Sequence, residues 1–251
     1  MIKCNFVLSG GGARGFAHIG VVKALQEKKI TFKAISGTSS GAIIAAFLCD
    51  GYSPDEAAQI CKEGIPVTRF NFHFTQGFLS IDSLKKLFSK YLHSKTFEDL
   101  KYPLYVSVTD LDNGKQVIIN SGNLVEALMA SASIPIIFPP ITINGTHYVD
   151  GGLSGNLPVE PFENSTDKII GIHVNPLAQF NAEDNVMKQL ERVLHLSIRG
   201  NVSREAEKTN LLIEPGGLKD FGIFDTKKIT EIIEIGYRYV KEEVDLNVLK
   251  L

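Results

Sequence analysis

The chain has 251 residues, 44% of them hydrophobic and 22% charged, which is enough to build a buried core and too apolar for a disordered segment. Lys and Arg number 26 against 28 Asp and Glu, and a net charge of −2 lacks the basic surplus of a general nucleic-acid binder. Cys4, Cys49 and Cys61 are scattered, with neither a disulfide framework nor a Cys/His spacing for structural zinc. The longest apolar stretch, around Ala42 to Cys49, is well short of the roughly 18–20 residues of a membrane span. The N-terminal residues run into glycines too soon for a signal peptide, so the expected location is cytoplasmic.

In chain order, Asn5–Leu8 predicts a buried strand and His18 to Lys28 the helix after it. Phe32–Ile35 predicts a second strand, followed by an apolar helix from Ala42 to Leu48. Ser53-Pro54-Asp55-Glu56 has the pattern of a helix start, with Ser53 as cap, Pro54 in the first turn and Glu56 closing a capping box. Leu84, Leu87, Phe88, Tyr91 and Leu92 recur at helical spacing. Leu104–Thr109 and Gln116–Ile119 read as strands around the tight-turn pair Asn113-Gly114. Further strands are expected at Ile141–Ile143, His147–Val149 and Lys168–Val174. Near the end, Ile229, Ile232, Ile233, Gly236 and Val240 mark an amphipathic helix. No repeat or linker divides the chain. Strand–helix alternation with short connections predicts one α/β domain over residues 1–251, with a mainly parallel central sheet flanked by helices. Ile65–Phe78 breaks the pattern, with Phe70, Phe72, Phe74 and Phe78 among polar residues. It is read either as core packing or as a movable apolar cover over a site.

Three short motifs carry chemistry. Ser9-Gly10-Gly11-Gly12-Ala13-Arg14-Gly15 follows the first strand and opens the first helix, a backbone that turns tightly and aims several N–H groups at one point. Such a loop suits a phosphate or the oxyanion of an ester under attack. A dinucleotide site would need an acid at the end of the second strand, where Ser36-Gly37 stands instead. Next comes Gly37-Thr38-Ser39-Ser40-Gly41, a G-x-S-x-G pentapeptide between a predicted strand and helix. This is the setting of a nucleophile elbow, with Ser39 at its tip and Ser40 off its centre. Asp150-Gly151-Gly152 follows the strand His147–Val149, which sets a carboxylate at a strand end. The same residues also fit an ordinary turn.

Taken together and in this order, these motifs resemble those of the patatin-like phospholipase family. Ala130-Ser131-Ala132-Ser133-Ile134-Pro135-Ile136-Ile137-Phe138-Pro139-Pro140 is similar to the family's proline-containing block ahead of the aspartate. The resemblance runs from about Val7 to Val159, with a weaker echo at Gly236-Tyr237. Ser9 and Gly152 depart from the commoner family residues, aspartate and alanine. The resemblance implies a serine hydrolase of lipid or phospholipid carboxyl esters. Ser39 is then the nucleophile and Asp150 the general base of a histidine-free dyad. Gly11, Gly12 and Arg14 line the oxyanion site, and no metal or cofactor is required. It further implies a lipid or acyl-ester substrate met in transient contact with a membrane surface. Two alternatives stay open: a conventional triad using His173 or His195, and an idle lipid-binding or regulatory protein on the same fold. Arg14 can equally serve as a loop anchor. His18, beside the glycine loop, is read as packing or bonding to backbone.

Overall fold

The computed structural model describes residues 1–64, 81–135, 137–177 and 186–249. Its strands are β1 (Ile2–Leu8), β2 (Ile30–Thr38), β3 (Leu104–Asp110), β4 (Lys115–Ile119), β5 (Ile141–Ile143), β6 (Thr146–Asp150), β7 (Ile169–Ile172) and β8 (Leu211–Ile213). The helices are α1 (Ala17–Glu27), α2 (Ser40–Cys49), α3 (Pro54–Gly64), α4 (Ile81–Tyr91), α5 (Leu124–Ser131), α6 (Val186–Ala206) and α7 (Ile229–Glu242). The segment Ile65–Phe78, read above as core or cover, lies outside the described residues.

All eight strands form one sheet in the order β5-β6-β3-β2-β1-β7-β8, with β4 paired to β3. From β3 to β8 the neighbours are parallel; β4, β5 and β6 add antiparallel pairs at the other end. The expected α/β domain with a mainly parallel sheet is the observed one. Successive side chains of a strand leave opposite faces of the sheet. Accordingly Phe6 and Leu8 of β1 join the large core under the helices, while Val7 joins a smaller one with Leu157, Phe162, Ile169 and Val202. Both faces are thus covered, as a parallel sheet requires.

Local chemistry accounts for several boundaries. Ser53 caps α3: its Oγ accepts the Glu56 N–H at 3.3 Å, and the Glu56 carboxylate accepts the Ser53 N–H at 2.8 Å. Gly114 takes φ +65° in the β3–β4 turn, as the Asn-Gly pair predicts. Helix α5 and strand β8 were not anticipated, and β2 runs past the predicted Phe32–Ile35 at both ends. For α5 a start signal exists: Asn123 Oδ1 accepts the Glu126 N–H at 3.1 Å, an N-cap ahead of an apolar run.

Helix α7 buries Ile229, Ile232, Gly236 and Val240 of the predicted stripe, with Ile233 partly buried, and its main partner is α1. The two helices meet backbone to backbone. A Cβ on Gly20 would lie 1.9 Å from the Ile233 carbonyl oxygen, and one on Gly236 would lie 2.3 Å from that of Ala17. Alanine at either position should therefore destabilise the fold by about 1–3 kcal/mol through overpacking, outweighing the roughly 1 kcal/mol that alanine gains over glycine in a helix. Thermal unfolding of Gly20→Ala and Gly236→Ala tests this, since unchanged or raised melting temperatures would mean that the helices separate freely.

Candidate active site

Ser39 stands between the last residue of β2 and the first of α2, at φ 53° and ψ −123°. A non-glycine residue there carries strain of order 1–3 kcal/mol. The turn is tight because α2 starts against β1: a Cβ on Gly41 would lie 2.4 Å from the Leu8 carbonyl oxygen. The helix begins at once, with the Ile43 N–H bonded to the Ser39 carbonyl at 3.0 Å. The Ser39 N–H donates to Ser131 Oγ, at the C-terminal end of α5, at 2.8 Å.

Strand pairing brings Asp150 to the same spot. Along one edge β3 carries β4. Along the other it pairs with β2 up to Thr38↔Ser107, and from Val108↔Asp150 onward with β6, which runs the opposite way. The carboxyl ends of β2 and β6 therefore meet head to head, one β3 residue apart. The sequence reading put Asp150 at a strand end, and it is the last residue of β6. That strand, however, is antiparallel to its neighbour β3 and not one of the parallel set. The Asp150 N–H donates to the Ser133 carbonyl at 2.9 Å, its own carbonyl accepts from Thr109 Oγ1 at 2.9 Å, and Oδ1 accepts the Gly152 N–H at 2.8 Å. The Ser39 side chain is near enough to the carboxyl to pull its pKa down. Burial pushes that pKa up to about 6, against the opposing pull of Ser39 and the Gly152 bond.

The glycine loop borders Ser39. A Cβ on Gly10 would sit 3.1 Å from Ser39 Cβ. Two asparagines hold Gly10: its N–H donates to Asn156 Oδ1 at 3.1 Å, and its carbonyl accepts from Asn175 Nδ2 at 2.6 Å. Past Gly12, at φ +56°, the Ala13 N–H donates to the Ile223 carbonyl at 2.7 Å and Arg14 Nε to the Phe221 carbonyl at 2.6 Å. Among the described residues the N–H groups of Gly11 and Gly12 have no protein acceptor. His18 is wholly buried, and its Nε2 bonds the Ser9 carbonyl at 2.8 Å. A carbonyl only accepts, so Nε2 carries the proton, and burial pushes the His18 pKa down to about 4.

The remaining candidates stand elsewhere. Ser40 begins α2 with its hydroxyl buried and without a partner among the described residues. His173 Nδ1 bonds Glu214 Oε1 at 2.9 Å. Position 195 falls within α6, and its side chain lies outside the described residues. Among the described residues no group of three or more His, Cys, Asp or Glu converges as a metal site. Sequence reasoning missed Asn156, Asn175 and the contact made by Ser131. The one hint was a polar Asn156 set between Gly155 and the apolar Leu157-Pro158.

Comparison with known proteins bears on the family and the fold. A model of the patatin-like phospholipases matches residues 6–163. The chain is 30% identical over 220 residues to the uncharacterized protein YqhO of Bacillus subtilis, covering 74% of this chain and 76% of that one. It is 24% identical over 272 residues to the lysophospholipase NTE1 of Yarrowia lipolytica, covering 94% of this chain but only 19% of that much longer protein. Among solved structures, VipD from Legionella pneumophila superposes with a TM-score of 0.55 at 15% identity, over 98% of this chain and 66% of that one, which is a likeness of fold. A family match across most of the chain, and a relative matched over three quarters of its own length, leave one conclusion: the chain belongs to the patatin-like phospholipase family.

Proposed function

We propose that the protein hydrolyses carboxyl esters of lipids or phospholipids through a Ser39–Asp150 dyad and an acyl-enzyme. The observation that carries this is the head-to-head meeting of β2 and β6, which brings Ser39, at the tip of a strained strand–helix turn, beside a buried carboxyl whose pKa is raised to about 6. An ordinary aspartate is too weak a base to take a serine proton; burial moves Asp150 toward the working pH. Asp150 accepts the Ser39 hydroxyl proton as Oγ attacks the ester carbonyl carbon. The oxygen of the tetrahedral intermediate is received by the Gly11 and Gly12 N–H groups. Arg14 supports them by tying the loop to Phe221. Collapse breaks the bond to the leaving alcohol, which takes the proton from Asp150. A water molecule then gives a proton to Asp150 and attacks the acyl carbon, releasing the fatty acid and returning the proton to Ser39. The cycle calls on no cofactor.

A lipid ester as substrate is supported by family membership and by the lysophospholipase relative. The same reading includes a cytoplasmic location and transient contact with a membrane surface. Among the described residues, no helix is long and apolar enough to cross a membrane. An idle binding protein on this fold would have no use for a buried carboxyl beside a strained serine.

A fluorophosphonate should label Ser39, and Ser39→Ala should abolish labelling and lower turnover of p-nitrophenyl esters by about 10⁴-fold or more. His173→Asn and His195→Asn should each stay within a few-fold of wild type. Labelling at Ser40, or collapse of activity in either folded histidine variant, would refute the dyad.

The general base must be ionised, so kcat/KM should fall about tenfold per pH unit below the Asp150 pKa near 6 and level off above it. A rate profile flat down to pH 4 would remove Asp150 from that role.

Stability should move the other way. A carboxyl pKa raised on folding means that stability is lost as pH climbs from the unfolded value near 3.8 through about 6. At ~1.36 kcal/mol per unit, the buried charge costs up to about 3 kcal/mol at pH 8. Asp150→Asn should therefore inactivate the enzyme while raising its melting temperature at pH 8, with the gain shrinking toward pH 4. A variant less stable than wild type at pH 8 would contradict this.

A further inference from the structure

Residues 130–140 were singled out in the sequence, yet the dyad chemistry leaves them without a task. The C-terminal end of α5 touches both halves of the dyad through adjacent groups. Ser131 is fully buried, and its Oγ accepts the Ser39 N–H at 2.8 Å while donating to the Ser107 carbonyl at 2.7 Å. Two residues on, the Ser133 carbonyl accepts the Asp150 N–H at 2.9 Å. Ser107 is the β3 residue at which β2 gives way to β6. Ser131 thus bridges the elbow and β3, and the Ser133 carbonyl extends the link to β6. The Ser131 acceptor serves the backbone N–H of the elbow residue itself, which is held at φ 53°.

We propose that Ser131 is a positioning residue. Its hydroxyl fixes the strained peptide of Ser39 and, with the Ser133 carbonyl on Asp150, sets the distance between the two reacting side chains. The proposal rests on the dyad reading above and deepens it. Ser131 touches neither substrate nor reacting atoms. Without its hydroxyl, the Ser39 N–H loses its acceptor and the elbow can relax toward an ordinary backbone, carrying Oγ away from Asp150. Displacements of about 1 Å at a reacting group cost on the order of 10²-fold in rate.

The test compares Ser131→Ala with Ser36→Ala. The second variant deletes another buried hydroxyl from a carbonyl partner, Pro158 at 2.6 Å, on the same strand but bonded to neither Ser39 nor Asp150. Ser131→Ala should lower kcat for p-nitrophenyl esters by about 10- to 100-fold with KM within about threefold, and slow fluorophosphonate labelling of Ser39 by the same factor. Ser36→Ala should keep near-wild-type rates at a similar melting temperature. Ser131→Cys, close in volume and a much weaker acceptor, should fall between wild type and alanine, and it carries the comparison if the alanine variant does not fold. Hydrogen exchange at the Ser39 amide gives a readout independent of catalysis, with faster exchange in the Ser131 variants than in wild type or Ser36→Ala. Wild-type labelling rates in the Ser131 variants, or unchanged exchange at Ser39, would overturn the proposal. Failure of wild-type Ser39 to react at all would instead sink the dyad reading, and the exchange data would still decide the role of Ser131.

Discussion

A strand edge can hold only one partner at a time, and the site is a consequence of how β3 shares its edge. Between Ser107 and Val108 the partner changes from β2, running parallel, to β6, running antiparallel. Neither strand can continue without displacing the other, so both leave the sheet at this point. One leaves into α2 by way of Ser39, the other into the Asp150-Gly151-Gly152 turn. Two residues more than a hundred positions apart are brought together by backbone pairing, before any side chain contributes. The sheet thus supplies the register, and hydrogen bonds from α5 and β3 refine it.

That arrangement carries two unfavourable features side by side: a serine in a sparsely populated backbone region and a carboxyl removed from water. Either would be relieved by a small local rearrangement. The surroundings prevent it with bonds that come mostly from backbone or from small polar side chains: Ser131, Thr109, Gly152 and the Ser133 carbonyl. Short groups of this kind have little rotamer freedom to lose, and they hold position more firmly than long charged side chains would. Burial excludes water and raises the proton affinity of Asp150 together, so the same packing that confines the carboxyl also tunes it.

Much of this was legible in the sequence because it is written in local backbone constraints. Gly41 marks a close approach to β1, Gly12 a positive φ, and Asp150 a strand end; each is a one- or two-residue signal. What stayed hidden depends on distant pairing. Asn156 and Asn175 meet Gly10 across 146 and 165 residues, and Ser131 reaches Ser39 across 92. No short motif encodes such partners. The direction of β6 was hidden for the same reason, since a strand's hydrophobic pattern reads alike whichever way its neighbour runs. Helix α5 was missed although Asn123 and Glu126 signalled its start, and the three residues of β8 are too few for any periodicity.

The glycine loop has one further property, which concerns time. All the sequence motifs lie before residue 160, yet Ala13 and Arg14 are held by carbonyls of Ile223 and Phe221, and α1 is clasped by α7. The Arg14–Phe221 bond spans 207 residues. At ribosomal speeds of about 5–20 residues per second, the loop is made roughly 10–40 s before its anchors exist. During that interval a nascent chain carries serine, aspartate and glycines without the support that organises the loop. The loop therefore gains its full support only as the last fifth of the chain emerges. The order of these segments along the chain thus sets the order in which the loop and its anchors can form.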